Sequence, residues 1–342
     1  MKILLGMSGG VDSTVAAKLL FDEGHEVVGA VLKMHEFTEL SAARTAAEEI
    51  GIPLVEIDCT EDFCSVVKTD FAREYASGRT PNPCIICNER VKMRRLYEYA
   101  VENGFDKIAT GHYACIVTLT DGGAERHAVA AAKDPKKDQS YMLYRLPEEI
   151  LARLLLPLAD SDKEKVRTAA GEMQLSSAGK RDSQEICFLP DGGHAEYVES
   201  VVGKSPEGDF IDTEGNILGK HKGIIRYTVG QRKGLGIALG ERMFVTEIDP
   251  ENNTVTLAPK LLGKHTVKLS RMVFSGIREP IKNSTLTLLC KLRYTAPLLP
   301  AKVIFEGEGK ATLEFSEPVK AAPGQSAVLY SDGVIFAGGI IS

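Results

Sequence analysis

A glycine- and serine-rich segment, GMSGGVDS at residues 6–13, has the composition of a phosphate-binding loop. Its glycines would let the backbone approach a phosphate closely, and the helical pattern that follows would present free N–H groups. Ser8 and Ser13 add hydroxyl donors, whereas Asp12 suits such a site only when Mg²⁺ bridges it to the phosphates. The segment is neither a Walker A loop nor a dinucleotide fingerprint. The alternative to a phosphate-binding loop is an ordinary strand–turn–helix corner.

A second reactive segment, RTPNPCIICN at residues 79–88, carries Cys84 and Cys87. Its prolines disfavour helix before the cysteines, and we predict a helix that begins near Asn88. Cys87 would then lie at a helix N-terminus, where the dipole lowers the pKa of a thiol and makes it a good nucleophile. The alternative is half of a structural zinc site, although the sequence has no second C-x-x-C to complete it.

The other cysteines lack such a setting. Cys187 precedes Phe188, and a lone cysteine of this kind is more often a small buried hydrophobe than a catalyst. Four more are interpreted as structural: Cys59, Cys64, Cys115 and Cys290. Seven cysteines without a secretory signal indicate a reducing, cytoplasmic environment. No stretch approaches the ~18 consecutive apolar residues of a membrane span, so no membrane partner is expected.

Strand and helix patterns alternate through the first third of the chain. We predict strands at residues 2–7, 26–33, 53–58 and 107–111, and helices at residues 13–23, 40–50, 61–75 and 90–103. This alternation predicts βαβ units and an α/β domain with a parallel sheet. Ligands of such sheets bind at the carboxyl ends of the strands.

The pattern of predicted helices and strands changes in the second half of the chain. Residues 147–175 have a helical pattern without strands, and after Gly203 short strands alternate with turn signals. The clearest strands are at residues 254–258, 285–293, 301–305 and 311–315. Such spacing is typical of antiparallel sheets or small barrels. We therefore predict a catalytic domain with a helical extension (1–202), a central β domain (203–267) and a C-terminal β-barrel-like domain (268–342).

Composition excludes some classes of protein. The chain has 342 residues, of which 44% are hydrophobic and 26% charged, so it is not largely disordered. With 41 basic and 47 acidic residues the net charge is −6, which is not typical of a general nucleic-acid coater. A local basic stripe remains compatible with nucleic acid. Arg90, Lys92, Arg94 and Arg95 form one on a predicted helix, and they would either contact phosphates or face solvent.

Several motifs together resemble a known family. SGGVDS alone resembles the pyrophosphate loop of the N-type ATP pyrophosphatases, which cleave ATP between the α and β phosphates. The chain adds RTPNPCIICN, ATGHYA, KDQSYMLYRL, KRDSQEICF, YTVGQRKGLGI and PGQSAVLY, in that order. This order is similar to that of the tRNA-specific 2-thiouridylase (MnmA) family over essentially the whole chain. The resemblance implies an adenine nucleotide α-hydrolase-like domain followed by two β domains.

The resemblance also implies a reaction. Family members use ATP and Mg²⁺ to adenylate the C2 oxygen of the wobble uridine in tRNA, and a cysteine persulfide then supplies sulfur. A cysteine desulfurase or another persulfide donor is the implied partner. By motif match, Cys187 would carry the persulfide and Cys87 would be the second catalytic cysteine, with Asp12 acting in adenylation. Turnover would then leave a Cys87–Cys187 disulfide for a reductant to open.

Binding residues are carried over in the same way. The ATP site would comprise Gly6, Met7, Ser8, Gly9, Gly10, Val11, Asp12, Ser13, Leu32 and Gly111. The segment that lines the target base would comprise Asn82, Pro83 and Cys84, and further tRNA contacts would come from His112, Lys137, Asp138, Gln139, Arg293, Tyr294 and Gln325. Alternatively, Lys137 and Asp138 form a solvated turn, and Arg293 and Tyr294 a strand surface.

This chain departs from the family pattern at two places. Cys84 stands where many members carry Asp, and Ala42 stands where an Asp is common. Cys84, Cys87 and Cys187 together leave open an alternative route, in which they hold a [4Fe–4S] cluster that delivers sulfide. Two rivals to the thiolation hypothesis are an amide-forming pyrophosphatase such as a GMP synthetase, and a non-enzymatic RNA-binding or iron–sulfur carrier protein. The first leaves the paired cysteines unexplained, and turnover of ATP to diphosphate with unmodified tRNA would separate the three hypotheses.

Overall fold

The computed structural model describes residues 1–179, 186–189, 193–261 and 263–342. Residues 180–185 of the KRDSQEICF motif therefore lie outside the described residues. The strands in these ranges are β1 (Lys2–Gly6), β2 (Glu26–Lys33), β3 (Leu54–Asp58), β4 (Lys107–Thr110), β5 (Ala114–Asp121), β6 (Ala124–Ala131), β7 (Leu154–Leu155), β8 (Gly208–Ile211), β9 (Ile217–His221), β10 (Phe244–Asp249), β11 (Thr254–Ala258), β12 (Lys264–Phe274), β13 (Thr285–Lys291), β14 (Leu299–Gly307), β15 (Lys310–Val319), β16 (Ser326–Ser331) and β17 (Val334–Ile341).

The α-helices in the same ranges are α1 (Val11–Asp22), α2 (Leu40–Ile50), α3 (Thr60–Asp62), α4 (Thr69–Ala76), α5 (Pro83–Cys87), α6 (Met93–Glu102), α7 (Glu148–Leu151), α8 (Lys163–Glu172) and α9 (His194–Val202). Two π-helical segments make longer helices continuous: Phe63–Lys68 joins α3 to α4, and Asn88–Lys92 joins α5 to α6. No helix in the described ranges is long and apolar enough to cross a membrane.

The N-terminal domain is built on a parallel sheet with the strand order β3-β2-β1-β4-β7. Its central strands are apolar along their length because helices cover both faces of a parallel sheet. Ile3, Leu4 and Leu5 in β1 are fully buried. In α2, Ala43, Ala46, Ala47 and Ile50 supply the helical stripe that packs inward, and Gly51 ends the helix with a left-handed φ of 81°. The predicted α/β class is confirmed.

One strand contradicts the prediction for the helical extension. We expected residues 147–175 to contain no strand, but β7 lies there and pairs in parallel with β4. It consists of Leu154 and Leu155 alone. A strand this short has no readable periodicity, so its identity depends on the neighbouring edge of the sheet.

The central domain contains a four-stranded mixed sheet with the order β10-β11-β8-β9. Antiparallel pairs join β10 to β11 and β8 to β9, and one parallel pair joins β11 to β8. Phe210, Val245 and Val255 fill its interior and are fully buried. The predicted β character of this region is confirmed.

The C-terminal sheet has eight strands in the order β12-β15-β14-β13-β16-β17-β6-β5, and β12 also pairs with β17. It therefore includes the β5–β6 hairpin of the N-terminal domain, which turns at Gly122 and Gly123 with positive φ at both residues. The boundary that we placed between residues 267 and 268 falls inside β12 and moves to before Lys264. Sequence pattern alone did not reveal that a hairpin from one domain completes the sheet of another.

Candidate active site

The phosphate-loop segment lies where the order of the parallel strands reverses. The chain runs outward from β1 through β2 to β3 and then returns to place β4 on the other side of β1. The loop leaves the carboxyl end of β1, and Gly111 follows the carboxyl end of β4. Crevices at such switch points are the usual ligand sites of open α/β sheets. Leu32, near the carboxyl end of β2, lies at the same edge.

Two glycines in this region have no room for a side chain. Gly9 has a φ of +73°, and a Cβ there would lie 2.3 Å from the backbone carbon of Ala42. A Cβ on Gly111 would lie 2.8 Å from the backbone of Asp12 and Ser13. Main chain therefore packs directly against the first turn of α1. Inside the loop, the Ser8 and Ser13 hydroxyl oxygens lie 3.2 Å apart, and the Ser8 N–H donates to Ser13 Oγ.

The loop fits a polyphosphate. Gly10 is the N-cap residue of α1, and no side chain in the described part of the molecule caps this helix. Because no side chain caps them, the N–H groups of the first turn can donate to a phosphate group, which the positive end of the helix dipole also favours. Ser8, Gly9 and Gly10 lie in the turn between β1 and α1, and Ser13 lies in the first turn of that helix.

Asp12 contacts two side chains that the sequence analysis did not single out. Lys163 Nζ lies 2.7 Å from both carboxylate oxygens of Asp12. The Tyr113 hydroxyl donates to Asp12 Oδ1 at 2.6 Å. Lys163 is only 8% exposed, and Tyr113 only 2%. The carboxylate that we expected to face Mg²⁺ is thus held by a buried ammonium group.

The helix that carries the cysteines begins earlier than predicted. Asn82 is its N-cap, and Pro83 occupies the first turn of α5, where proline is favourable because its missing N–H is not needed. The helix then continues through the π segment into α6. The prediction that Cys87 lies at a helix N-terminus is wrong, because Cys84 occupies the first turn and Cys87 lies one turn further in.

The environment of Cys87 raises the pKa of its thiol instead of lowering it. Burial is the largest cause and raises this pKa to about 11. The charges of Cys84 and Cys187 raise it further, whereas the Lys92 ammonium group lowers it. The fold therefore brings Cys187, far along the chain, within electrostatic range of the C-x-x-C pair. Burial is also the largest cause that acts on the Cys84 and Cys187 thiols and raises the pKa of each, while the Lys92 charge opposes this shift.

Phe188 anchors the segment that carries Cys187. Its side chain is 3% exposed. Its ring makes edge contacts with the rings of Phe63, Phe71 and Tyr197 at centroid distances of 5.4 to 5.6 Å. Lys68 Nζ lies 6.0 Å from the centroid of the same ring. Cys187 itself is exposed, although its apolar neighbour Phe188 led us to expect a buried cysteine. Phe188 is buried instead and holds the accessible Cys187 in place.

The three cysteines do not form a metal-binding group. Within the described ranges, no set of three or more His, Cys, Asp or Glu side chains is arranged to hold a metal ion. Cys84 and Cys187 are exposed and Cys87 is buried. The described residues therefore do not favour the [4Fe–4S] alternative.

The C-terminal domain holds the approach to the cysteines. Gln325 Nε2 donates to the carbonyl oxygen of Thr80 at 2.8 Å, and the Thr80 N–H donates to the carbonyl of Pro323 at the same distance. A Cβ on Gly324 would lie 2.8 Å from Thr80 N. Gln325, which matches a tRNA-contacting position, thus also supports the loop that leads to Cys84.

The other predicted tRNA residues differ in accessibility. Asp138 is buried, and its Oδ1 accepts hydrogen bonds from the backbone of Ala132 and Ser140. This contradicts the alternative that Asp138 is part of a solvated turn. Arg293 is exposed, whereas the Tyr294 ring packs against that of Tyr141 at 6.0 Å between centroids.

Gln139 and His112 are close to the nucleotide loop. Gln139 Oε1 accepts from the Tyr113 N–H at 3.0 Å, and the Gln139 N–H donates to the Tyr113 carbonyl. His112 Nδ1 lies 2.9 Å from Thr110 Oγ1, and burial followed by the Lys92 charge lowers the pKa of this histidine. Lys137, at the start of the same segment, is half-buried.

The basic stripe on α5–α6 is largely ion-paired. Arg94 pairs with Glu149 at 3.1 Å, and Arg95 lies 3.4 Å from Asp62 and 3.2 Å from Glu98. Lys92 differs from them because its charge acts on the thiols. The sequence groups these cations together, and only the structure distinguishes Lys92, whose charge counteracts the raised pKa of the cysteine thiols.

Comparison with known proteins places the chain in a family. Its residues 1–191 match the tRNA methyl transferase HUP domain, residues 195–259 the tRNA methyl transferase PRC-barrel domain, and residues 264–341 the aminomethyltransferase beta-barrel domain. Among solved structures, an NMN synthetase from Francisella tularensis is 18% identical with a TM-score of 0.35, and it covers 53% of this chain and 66% of that one. That likeness is too low to carry an argument.

Curated relatives match over the full length. The tRNA-specific 2-thiouridylase MnmA of Treponema denticola is 41% identical over 359 residues, which cover 100% of this chain and 98% of the relative. The MnmA proteins of Acetivibrio thermocellus and Clostridioides difficile are each 42% identical, over 99% of this chain and 99% and 98% of theirs. With this identity from end to end, the chain belongs to the tRNA-specific 2-thiouridylase (MnmA) family.

Proposed function

We propose that the protein is an ATP-dependent tRNA-uridine 2-sulfurtransferase. The observation that carries this is the pair Gly111–His112. Gly111 packs against the phosphate loop. The pKa of the next residue, His112, is lowered by burial and then by the charge of Lys92, and the same charge counteracts the raised pKa of Cys87. This supports a nucleotide site beside the cysteine thiols, as a reaction that activates an oxygen and then replaces it with sulfur requires.

Nucleotide binding is assigned to the edge of the parallel sheet. The main chain of residues 6–13 and the start of α1 would hold the phosphates of ATP, and Leu32 and Gly111 would contact the adenosine part. Asp12 is the carboxylate that would hold Mg²⁺, which neutralises charge on the phosphates when it is bound. The uridine C2 oxygen attacks the α phosphorus, the bond to the bridging oxygen breaks, and diphosphate leaves with the electron pair.

Sulfur transfer is assigned to Cys187 and Cys87. The terminal sulfur of a Cys187 persulfide would bond to C2 while the C2–oxygen bond breaks and AMP leaves. Cys87 then attacks the Cys187 sulfur, which forms the disulfide and frees the product sulfur. In the other order, Cys87 attacks the persulfide first and releases hydrosulfide, which itself attacks C2. Both orders consume one persulfide and leave a disulfide for an external thiol to reduce.

The partners follow from the same chemistry. The substrate is tRNA, with the uridine held near Asn82, Pro83 and Cys84, and the sulfur source is a cysteine desulfurase or another carrier of a protein persulfide. A cytoplasmic location accords with both. His112, Lys137, Gln139 and Arg293 remain proposed tRNA contacts, while the buried Asp138 shapes the segment that presents two of them.

An assay of diphosphate release with unmodified tRNA tests the adenylation half. Cys87→Ser and Cys187→Ser variants should release diphosphate at rates close to that of the unchanged enzyme, because activation needs no sulfur. Cys64→Ser is the matched control, because Cys64 is an exposed cysteine that does not belong to the set of Cys84, Cys87 and Cys187. Loss of diphosphate release in both thiol variants, with the control unaffected, would contradict the separation of adenylation from sulfur transfer.

A further inference from the structure

Lys68 places an ammonium group beside the residue that follows Cys187. It is half-buried at the end of the π-helical segment Phe63–Lys68. Its Nζ lies 6.0 Å from the ring centroid of Phe188 and 5.5 Å from that of Tyr197. No carboxylate in the described part of the chain forms an ion pair with Lys68. Two aromatic rings, and not an acidic side chain, therefore hold this cation.

The π-helical segment explains why Lys68 lies there. In a regular α-helix, residues five positions apart differ by about 140° around the helix axis. The wider turn of the π segment reduces this angle, and both of its end residues contact Phe188, with the Phe63 ring 5.6 Å from that of Phe188. Because π turns are rare and often occur at functional sites, a lysine brought to this ring by such a turn is a candidate for a functional role.

Cys187 lies between groups of opposite effect. Burial is the largest cause that raises the pKa of its thiol and Cys84 adds to it, whereas the charges of Lys92 and then Lys68 lower it. The Cys84 thiol responds to burial and then to Lys92. The charge of Lys68 therefore distinguishes Cys187 from the other exposed thiol of the site.

On its other side, Lys68 faces His35 and Glu36. Burial is the largest cause that lowers the pKa of His35, so this imidazole is neutral near pH 7. Glu36 is exposed, and its own backbone N–H is the largest cause that lowers the pKa of its carboxyl, followed by the charge of Lys68. An exposed carboxylate that makes no ion pair is screened by water and salt, so Lys68 remains a local positive charge.

Sulfur uptake requires negative charge on Cys187. Its thiolate attacks the outer sulfur of a donor persulfide, R–S–SH, and a new bond joins the two sulfurs. The S–S bond of the donor breaks, and the donor leaves as a thiolate with the electron pair of that bond. The transferred sulfur keeps its proton, and loss of this proton gives a persulfide anion on Cys187. A nearby ammonium group stabilises both anionic forms.

We propose that Lys68 is a positioning residue for sulfur transfer, whose ammonium group is held on the Phe188 and Tyr197 rings and stabilises the negative charge of the Cys187 thiolate and persulfide. This rests on the proposed function, in which Cys187 carries the persulfide. The alternative is that Lys68 only covers the rings with its aliphatic stem, in which case its charge has no effect on Cys187.

Two alkylating reagents of different charge separate these roles. Iodoacetate is an anion and iodoacetamide is neutral, and both react with the thiolate. The ratio of their rates at one cysteine therefore reports the local charge and does not depend on how much thiolate is present. Both rates are measured at Cys187 and Cys84 by mass spectrometry at low ionic strength. Lys68→Met keeps the apolar stem without the charge, and Lys68→Arg keeps the charge.

We expect the ratio of the iodoacetate rate to the iodoacetamide rate at Cys187 to fall at least twofold in Lys68→Met and to be retained in Lys68→Arg. The ratio at Cys84 should be unchanged in both variants. The matched control is Lys220→Met in β9, whose side chain is 69% exposed and which should change neither ratio. With a limiting persulfide donor, 2-thiouridine formation by Lys68→Met should fall at least threefold, while diphosphate release changes less than twofold.

An unchanged ratio at Cys187 in folded Lys68→Met, or an equal fall at Cys84, would overturn the proposal. Undiminished thiouridine formation despite a lowered ratio would overturn the role in sulfur transfer. Should Lys68→Met fail to fold, Lys68→Gln removes the charge with a polar side chain and is compared with Lys68→Arg in the same way. An unchanged enzyme that makes no thiouridine would contradict the proposed function only, because the alkylation ratios require neither tRNA nor ATP.

Discussion

At the scale of the residue, Asp12 is central to the adenylation step. Its carboxylate lies in the first turn of α1 and is 31% exposed, so it is accessible to an incoming metal ion as well as to Lys163. Asp12→Asn keeps the shape and the hydrogen bond from Tyr113 while it removes the charge. We expect diphosphate release to fall by about 10²–10³-fold, as when one electrostatic contact of a transition state is removed. Undiminished release by a folded variant would exclude the assignment.

The Cys87 thiol leads to a prediction on pH. Its pKa is raised to about 11, chiefly by burial, so the thiolate is a minor species near neutrality. Alkylation of Cys87 by iodoacetamide, followed by mass spectrometry, should accelerate about tenfold for each unit between pH 7 and 9. A rate that levels off below pH 8 would indicate a lowered pKa and contradict burial as the main influence on this thiol.

Some of these properties could be predicted from the residues and some could not. The types and order of the loop residues and cysteines were sufficient to indicate nucleotide and sulfur chemistry. The partner of Asp12 was not predictable, because Lys163 lies 151 positions away in a helix whose sequence resembles a solvated surface. A lysine directly after an N-cap aspartate was the only signal, and it is weak.

At the scale of the element, the segment with Cys187 depends on an aromatic cluster. Phe188→Ala would remove ring contacts with Phe63, Phe71 and Tyr197. Truncation of a buried phenylalanine costs about 3–5 kcal/mol, and here the lost contacts are those that hold the residue next to Cys187 in place. We expect 2-thiouridine formation to fall at least tenfold while diphosphate release changes less than twofold, as measured in parallel assays.

Phe188→Leu is the control for this prediction because it retains most of the apolar volume. It should recover most of the thiolation activity. If Phe188→Ala loses both activities together, or neither, Cys187 is not positioned by this ring.

The cysteine helix shows why an element boundary matters for chemistry. The sequence predicts that the prolines disfavour helix before the cysteines, yet Pro83 begins the helix because its fixed φ suits the first turn. Cys87 therefore lies in a buried position inside the helix and not at its end, and the pKa of its thiol is raised where we predicted that it is lowered. The π segment directly after Cys87 was not predictable from periodicity, although π turns often occur at functional sites.

At the scale of the whole molecule, the C-terminal domain contributes to the site at the other end of the chain. Gln325→Ala removes the hydrogen bond to Thr80, which is worth about 1 kcal/mol. If Gln325 supports the loop, the alkylation rate of the exposed Cys84 should change at least twofold without tRNA. A variant that binds tRNA more weakly but leaves that rate unchanged would limit Gln325 to a contact with tRNA.

The division into an α/β part and β parts was predictable because periods of 2 and 3.6 differ clearly over long segments. The arrangement across domains was not. The β5–β6 hairpin belongs to the N-terminal stretch of sequence, but pairing of Ala130 with Val334 places it in the C-terminal sheet. Such pairing depends on complementary edges far apart in the chain, which local patterns do not encode.

The most direct test of the account follows 2-thiouridine by mass spectrometry of tRNA nucleosides. Unmodified tRNA is incubated with ATP, Mg²⁺, a cysteine desulfurase with cysteine, and either the unchanged enzyme, Cys187→Ser or the Cys64→Ser control. The account predicts 2-thiouridine at the wobble position with the unchanged enzyme and the control, and none with Cys187→Ser, which should still release diphosphate. Thiouridine formed by Cys187→Ser at an undiminished rate, or none formed by the unchanged enzyme, would contradict it.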